Sequence, residues 1–359
     1  MIVIDGSRGE GGGQILRTSI ALSALTMKPI RIVNIRAKRE NPGLMRQHMT
    51  GIEVVGKITD AEIEGLEIGS SELEFVPRTR RKGRYTFDVG TAGSISLVLQ
   101  TVLPAAILTE GELELEIRGG TDVAWSPPID YMKHVFAQIL RRLGAHVEIE
   151  QIRRGHYPAG GGIVRCKVGY TPQLTALDAV ELGGVDRIEG VSHCVGLPSS
   201  VASRQAAAAA SFLRSRGMTR IDIAEDSGPT KRDPHGGPGS GIVIWAQAHS
   251  GIRMGTNALG EKGKPAETVG IEAADMLYRE ISTGMAIDSH MGDMLIPYMA
   301  LATGTSRIGV ASVTNHLVKN IWVAREILGC KIEYDRVLGK PGKVIVEGIG
   351  TEKLRQESP

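Results

Sequence analysis

Ile2-Val-Ile-Asp-Gly-Ser-Arg-Gly-Glu-Gly-Gly-Gly-Gln-Ile-Leu-Arg17 joins an apolar strand to an apolar helix, Ile15–Leu25, through a turn crowded with glycine. Glycine lets a backbone approach a ligand closely, and a helix N-terminus turns unpaired N–H groups toward an anion. Glu10, Gln14 and Arg17 flank that turn. No Gly-Lys-Ser/Thr follows, so it is not a P-loop, and the spacing is not that of the dinucleotide fingerprint. A strained turn of purely structural use stays open from the pattern alone.

Working outward, the same unit recurs: a marked loop, an apolar helix, a strand, a loop, a second helix and a second strand. The first copy reads helix Ile15–Leu25, strand Ile30–Ile35, helix Leu44–Ile58 and a strand near Ala61–Ile68. In the second, Gly90-Thr-Ala-Gly93 opens helix Ser94–Leu108, with strand Leu113–Ile117, helix Tyr131–Leu143 and strand His146–Gln151 behind it. The third gives helix Met291–Ala302, strand Ser306–Val310, helix Leu317–Leu328 and strand Lys331–Tyr334. A period of about eighty residues is too long for a solenoid and suits sheet-plus-two-helix modules packed together. Between the second and third copies lies extra material with strands Arg187–Val195, Thr219–Ala224 and Gly241–His249 and helix Ser199–Arg216, enough for its own small layer. The loop Asp226–Gly241 is either a ligand cover or plain surface.

Composition excludes several classes. Apolar residues at 42% and charged residues at 23% describe a globular chain. No signal peptide is apparent, and the best apolar run, Ser96–Leu108, is broken by Gln100 and Pro104 and is too short for a membrane span. Cys166, Cys194 and Cys330 are scattered without zinc spacing; they read as small buried hydrophobes in a reducing compartment, so the expected location is cytoplasmic. A formal net charge of +2 is no mark of a general nucleic-acid binder, but the charge is clustered. Lys28, Arg31, Arg36, Lys38, Arg39 and Arg46 follow the glycine turn, where phosphate contacts are expected; Arg78, Arg80, Arg81, Lys82 and Arg84 read as solvated surface. Aromatics at 4% leave little for extended base stacking, so a nucleic-acid partner would be held by phosphates and one terminus.

Five segments converge: Gly9-Glu-Gly-Gly-Gly-Gln-Ile-Leu-Arg17, Ile35-Arg-Ala-Lys-Arg-Glu-Asn-Pro-Gly-Leu-Met-Arg-Gln-His48, Arg154-Gly-His-Tyr-Pro-Ala-Gly-Gly-Gly-Ile-Val164, Leu259-Gly-Glu-Lys-Gly-Lys-Pro-Ala-Glu-Thr-Val-Gly270 and Thr314-Asn-His-Leu-Val-Lys-Asn-Ile321. Together they closely resemble the RNA 3′-terminal phosphate cyclases over nearly the whole chain. The resemblance implies an α/β fold of the α+β sandwich type. Three βαβαββ modules related to the enolpyruvate transferase fold would form a larger domain over 1–182 and 277–359. A smaller α/β domain would be inserted over 183–276. It also implies an ATP-dependent conversion of an RNA 3′-phosphate into a 2′,3′-cyclic phosphate.

The resemblance carries roles to particular residues. His316 is the counterpart of the family's nucleophile, at a helix start where phosphate is favoured; on spacing alone it would be one structural histidine among nine. Glu10 corresponds to the contact with ATP and with a divalent metal, Mg²⁺ or Mn²⁺. Gln100, Asp293 and Met294 correspond to the nucleotide pocket, and Arg17, Arg36, Arg39 and Gln47 to the phosphate-binding region. Met294 stands where the family commonly has glutamine and Lys319 where it has threonine. For Asp293 a helix N-cap is the alternative, for the arginines surface ion pairs, and for Gly160, Gly161 and Gly162 tight backbone packing rather than catalysis. Partners implied are ATP and RNA with a 3′-phosphate end, with no membrane; a homo-oligomer is left open.

Two other classes compete. One is a non-cyclase relative acting as an RNA- or protein-binding scaffold, which lacks the histidine. The other is an enolpyruvate transferase, which would need no histidine nucleophile. A histidine-linked adenylate separates all three.

Overall fold

The computed structural model describes residues 1–9, 12–228 and 237–351. The chain begins β1 (Ile2–Asp5), α1 (Gly13–Thr26), β2 (Ile30–Val33), α2 (Arg46–Thr59), β3 (Glu62–Glu64), β4 (Leu73–Val76). β1 and β2 run parallel, as strands joined by a crossover helix do, and β4 enters antiparallel between β2 and β3. The sheet order is therefore β1-β2-β4-β3.

A second module repeats it: β5 (Gly83–Asp88), α3 (Ile95–Ala106), β6 (Leu113–Gly119), then a helical run of α4 (Ile129–Tyr131), a π-helical stretch (Met132–Phe136) and α5 (Ala137–Arg142), and finally β7 (Val147–Arg153) and β8 (Gly162–Val168). Its order is β5-β6-β8-β7. The third module starts at β9 (Asp178–Ala179) and is interrupted at once. The interruption holds β10 (Val185–Val195), α6 (Ser200–Ser215), β11 (Ile221–Ser227), β12 (Gly239–Ala248), β13 (Arg253–Leu259) and α7 (Ala266–Ser282). The module then resumes with α8 (Met291–Leu301), β14 (Thr303–Val310), α9 (Asn315–Leu328), β15 (Lys331–Tyr334) and β16 (Gly342–Ile349), in the same order, β9-β14-β16-β15. The inserted sheet has the order β11-β10-β12-β13, and both of its helices pack on it. Residues 276 and 277, the expected junction, lie inside α7.

Burial separates the first helix of each module from the second. Every residue of α8 is buried, and α1 buries Thr18, Ser19, Ser23 and Thr26 along with its isoleucines and leucines. A helix apolar on all sides belongs in an interior. α1 accordingly packs on α3, and α8 reaches α3 and α9, so the three first helices meet at the centre with the sheets outside. α2 and α9 keep charged faces outward, with Glu53 and Lys57 on the former and Arg325 and Glu326 on the latter exposed.

The insertion is tied to the body by directed bonds. The Tyr131 hydroxyl donates to both Asp288 oxygens at 2.8 and 2.9 Å, and the Gly255 N–H donates to the same carboxylate at 3.0 Å. Arg253 donates to the His134 carbonyl and Arg142 to that of Ser250, both at 2.9 Å.

Each module ends on two strands, as the βαβαββ pattern expects, and two features differ from the sequence expectation. First, β13 and α7 were not expected as elements. Second, the early basic cluster divides: Glu72 and Glu74 pair with Arg31 on the exposed face of the first sheet. The later cluster is surface, as expected: Arg78 pairs with Glu62, Arg81 with Asp60 and Arg84 with Glu114, while Arg80 donates to the Leu25 carbonyl. All three cysteines are free and buried. Among the described residues no helix is long and apolar enough to cross a membrane.

Candidate functional site

The three first helices leave a cleft where they converge. α1 supplies Gln14, Arg17, Thr18 and Ala21; α3 supplies Gln100 and Pro104; α8 supplies Asp293, Met294, Pro297 and Tyr298; α9 adds Asn320. Each first helix thus presents a polar residue and, four positions on, a proline or alanine on the same face.

Proline 297 has a definite consequence. It has no N–H, so the carbonyl of Asp293, four residues earlier, loses its helical donor. Asn320 replaces that donor: its Nδ2 reaches the Asp293 carbonyl at 2.7 Å. The Asn320 Oδ1 in turn accepts from the Thr18 hydroxyl at 2.7 Å. One buried amide therefore locks α9 against both α8 and α1.

That lock positions His316. Asn320 is one turn further along α9, on the same face as His316. Thr314 caps the helix, its hydroxyl accepting from the Leu317 N–H at 3.1 Å. His316 is exposed on the first turn rather than in the core, one turn before the cleft-lining Asn320. Lys319 is buried beneath the glycine turn: a Cβ on Gly9 would stand 2.8 Å from its Cε. Arg8 stacks on Trp322 at 4.3 Å, so the turn is seated on α9.

Asp293 is 7% exposed, and burial pushes its carboxyl up to about 7, with His290 and Arg17 opposing the rise. It is not a cap. Asp288 does that work, accepting from the His290 and Met291 N–H groups at 3.1 and 2.9 Å. Arg17 donates to Gln14 at 2.5 Å, and burial draws its guanidinium down to about 10, still cationic at neutral pH. His48 abuts the start of α1, where a Cβ on Gly13 would meet its Nε2 at 2.4 Å. Burial, with Arg17 and Arg36 beside it, holds His48 at about 3, so it is neutral. Its Nδ1 accepts from the Met45 N–H at 3.2 Å, which puts the ring proton on Nε2.

The structure brings Arg17, Gln100, Asp293 and Met294 together in the cleft. Arg39 is exposed beside the start of α1, its Nη2 3.1 Å from where a Gly12 Cβ would be, and no side chain among the described residues caps that N-terminus. Lys38 donates to the Gly9 carbonyl at 3.0 Å. Arg36 and Gln47 are turned to structural bonds: Arg36 donates to the Gly43 carbonyl at 2.9 Å, and Gln47 accepts from the Ser94 N–H at 3.4 Å. Glu10 lies outside the described residues, as do residues 229–236 of the long loop. Of the signature glycines, Gly160 packs backbone against backbone: with φ of 67°, a Cβ there would lie 2.8 Å from the Thr91 carbonyl.

Sequence reasoning did not single out Thr18, Asn320 or His48 as site residues. For Thr18 and Asn320 the available signal was a polar side chain interrupting the apolar face of α1 and of α9.

The family model described as RNA 3′-terminal phosphate cyclase matches residues 8–334. A curated RNA 3′-terminal phosphate cyclase of Methanopyrus kandleri is 51% identical over 350 residues, covering 98% of this chain and 99% of its own. Those of Desulfurococcus amylolyticus and Ignicoccus hospitalis are 52% and 51% identical, covering 98% and 97% of this chain and 99% of theirs. Among solved structures, the enolpyruvyl transferase NikO from Streptomyces tendae aligns with 98% of this chain at 12% identity and a TM-score of 0.41, a distant likeness; this chain spans 49% of its length.

Proposed function

The chain belongs to the RNA 3′-terminal phosphate cyclase family, and we propose that it uses ATP to close an RNA 3′-phosphate into a 2′,3′-cyclic phosphodiester through an adenylate on His316. The observation that carries this reading is the placement of His316 on the capped first turn of α9, with Asn320 holding that turn against the cleft.

The chemistry balances in three displacements. A neutral His316 imidazole attacks the α-phosphorus of ATP, and the α–β bridging bond breaks to release pyrophosphate. A terminal phosphate oxygen of the RNA then attacks the same phosphorus, the P–N bond breaks, and the phosphate becomes a mixed anhydride with AMP. Last, the vicinal 2′-hydroxyl attacks the RNA phosphorus, AMP leaves, and the hydroxyl proton passes to solvent. Covalent catalysis divides one hard transfer into easier ones, and the shared ribose supplies the proximity of the last step. The requirement for a 2′-hydroxyl is what would restrict the acceptor to RNA.

Within this reading Arg17 and Arg39 face phosphate oxygens, for which the guanidinium fork is suited. Lys319, under Gly9, adds positive charge to the same turn. Asp293, its carboxyl raised to about 7 and so partly protonated at neutral pH, is better suited to hydrogen-bond a ribose or the imidazole than to hold a hard cation. Glu10 is the residue proposed to reach a Mg²⁺ or Mn²⁺ ion, which would neutralise charge on the triphosphate. Gln100 and Met294 line the nucleotide side of the cleft.

The test is incubation of the chain with α-³²P-labelled ATP and Mg²⁺ or Mn²⁺, followed by a denaturing gel. The expected result is an acid-labile, alkali-stable label on the wild type and none on His316→Ala. Labelling or cyclisation by His316→Ala at the wild-type level overturns the mechanism. No label on a folded wild type that binds ATP, with pyrophosphate removed, favours the scaffold reading.

A further inference from the structure

We propose that Asp122, His156 and His193 form a site for a borderline divalent transition metal of the Zn²⁺ class, which clamps the inserted layer onto the second module. The three residues come from separate places: the loop after β6, the turn between β7 and β8, and strand β10 of the insertion. All three are buried, and one donor atom from each lies within 4.8 Å of the others.

The separations match a coordination polyhedron. His156 Nε2 is 3.1 Å from His193 Nε2, which is 3.7 Å from Asp122 Oδ1. Tetrahedral zinc with bonds of 2.0–2.1 Å has ligand–ligand edges of roughly 3.3–3.4 Å, between those values. Three protein ligands leave a fourth position for water.

The surroundings of Asp122 divide its two oxygens. Oδ2 accepts from the Thr121 hydroxyl at 2.7 Å and from Arg154 at 3.4 Å. Oδ1 is buried with no hydrogen-bond partner among the described residues, and it faces His193. A ligating carboxylate held through its second oxygen is the usual outer-shell arrangement at a metal. The rings are confined as well. Strand β12 presses glycine against each, so that a Cβ on Gly239 would stand 2.2 Å from His156 Cγ and one on Gly241 would stand 3.0 Å from His193 Cε1.

Charge points the same way. Among the described residues Arg154 is the one guanidinium between three carboxylates, at 3.4 Å from Asp122, 2.8 Å from Asp130 and 2.9 Å from Asp226. A cation beside Asp122 offsets that excess. The competing arrangement is a plain hydrogen bond between two neutral imidazoles. It leaves Asp122 Oδ1 unsatisfied, whereas a metal engages it together with both Nε2 atoms. Both Nδ1 atoms are buried without a hydrogen-bond partner among the described residues; metal on both Nε2 atoms would leave a proton on each of them.

The clamp is separate from the adenylation site, so its test does not depend on that chemistry. Full-length protein is stripped with a chelator, dialysed and titrated with Co²⁺ in the presence of excess Mg²⁺, which occupies oxygen-rich sites. The expected result is one equivalent of Co²⁺ with the intense visible bands of a tetrahedral ion, lost on adding Zn²⁺. In His193→Ala and His156→Gln the affinity falls by at least about a hundredfold. Chelation also lowers the Tm of the wild type and not that of either variant. A folded wild type that takes up no tetrahedral Co²⁺ overturns the site whatever the variants do, as does unchanged Co²⁺ binding in His193→Ala. Either result would leave a hydrogen-bonded histidine pair.

Discussion

The Thr18 hydroxyl donates to the Asn320 amide oxygen across 2.7 Å, although 302 residues separate them. The bond closes the molecule on itself: α1 opens the first module, and α9 closes the third and carries His316. Pro297 makes the other half of the junction necessary by withdrawing the helical donor from the Asp293 carbonyl.

Asn320→Ala is expected to lower stability by about 1–3 kcal/mol, because the Asp293 carbonyl and the Thr18 hydroxyl are left buried without this partner. Adenylation should fall by roughly tenfold to a hundredfold, the scale on which a misplaced reacting group costs rate. Thr18→Val removes one bond only and should cost less on both counts. Chemical denaturation and the labelling rate, measured on the same preparations, check the pair. Asn320→Ala labelling at the wild-type rate would detach His316 from this junction.

The insertion can be tested at Gly270. In an exposed helix Gly→Ala gains up to about 1 kcal/mol. Gly270 faces α6, where a Cβ would lie 2.1 Å from the Gln205 carbonyl oxygen, which is backbone and has little freedom to move. Gly270→Ala should therefore reduce stability by about 1–3 kcal/mol, the usual cost of overpacking. A rise in Tm would show that α6 and α7 stand further apart.

The modules were legible because the first helices are apolar on every side and are followed by short strands, a pattern that repeats along the chain. The fourth strand of each module came only through the resemblance, which implies βαβαββ, and not from the local pattern. β4 is four residues long, and its Leu73 and Phe75 face the core across a pairing with β2 that no local period reveals. α7 lacked a side-chain cap to announce it, since Pro265 precedes its first residue. In the site, resemblance pointed to Arg17, Gln100, Asp293 and Met294, and the cleft gathers them. It did not point to Thr18 or His48, whose places depend on neighbours distant in sequence or on contacts within two helices' ends. Arg36 and Gln47 look like ligand-facing residues in the sequence, yet each is engaged by a backbone group, of Gly43 and Ser94 respectively.

Asp293 predicts a pH dependence with a definite sign. Its folded-state carboxyl is raised to about 7 from an ordinary value of 3.8, so the folded chain binds this proton more tightly than the unfolded one. The contribution to stability is complete below pH 4, is lost as pH rises to about 7, and does not change beyond that. Its upper bound is about 4 kcal/mol, at 1.36 kcal/mol per unit. Asp293→Asn has no such proton to lose, so its stability relative to wild type should improve between pH 4 and 7 and level off above. Parallel denaturation profiles for the two proteins over that range would place the carboxyl in water.

Arg39 separates nucleotide from RNA. It is exposed, its guanidinium against the start of α1, while Arg17 is set deeper beside Gln14 and Asp293. An exposed group meets the later, larger substrate; one in the cleft meets whatever binds there first. Arg39→Ala should therefore leave enzyme adenylation within about threefold of wild type and weaken use of an RNA 3′-phosphate by roughly tenfold to a hundredfold, the range for losing a charge-assisted contact of 1.5–3 kcal/mol. Arg17→Ala should depress adenylation itself. Single-turnover assays, with ATP alone and then with pre-adenylated enzyme chased by RNA, measure the two steps apart. Equal losses in both steps for Arg39→Ala would move that side chain into the nucleotide pocket.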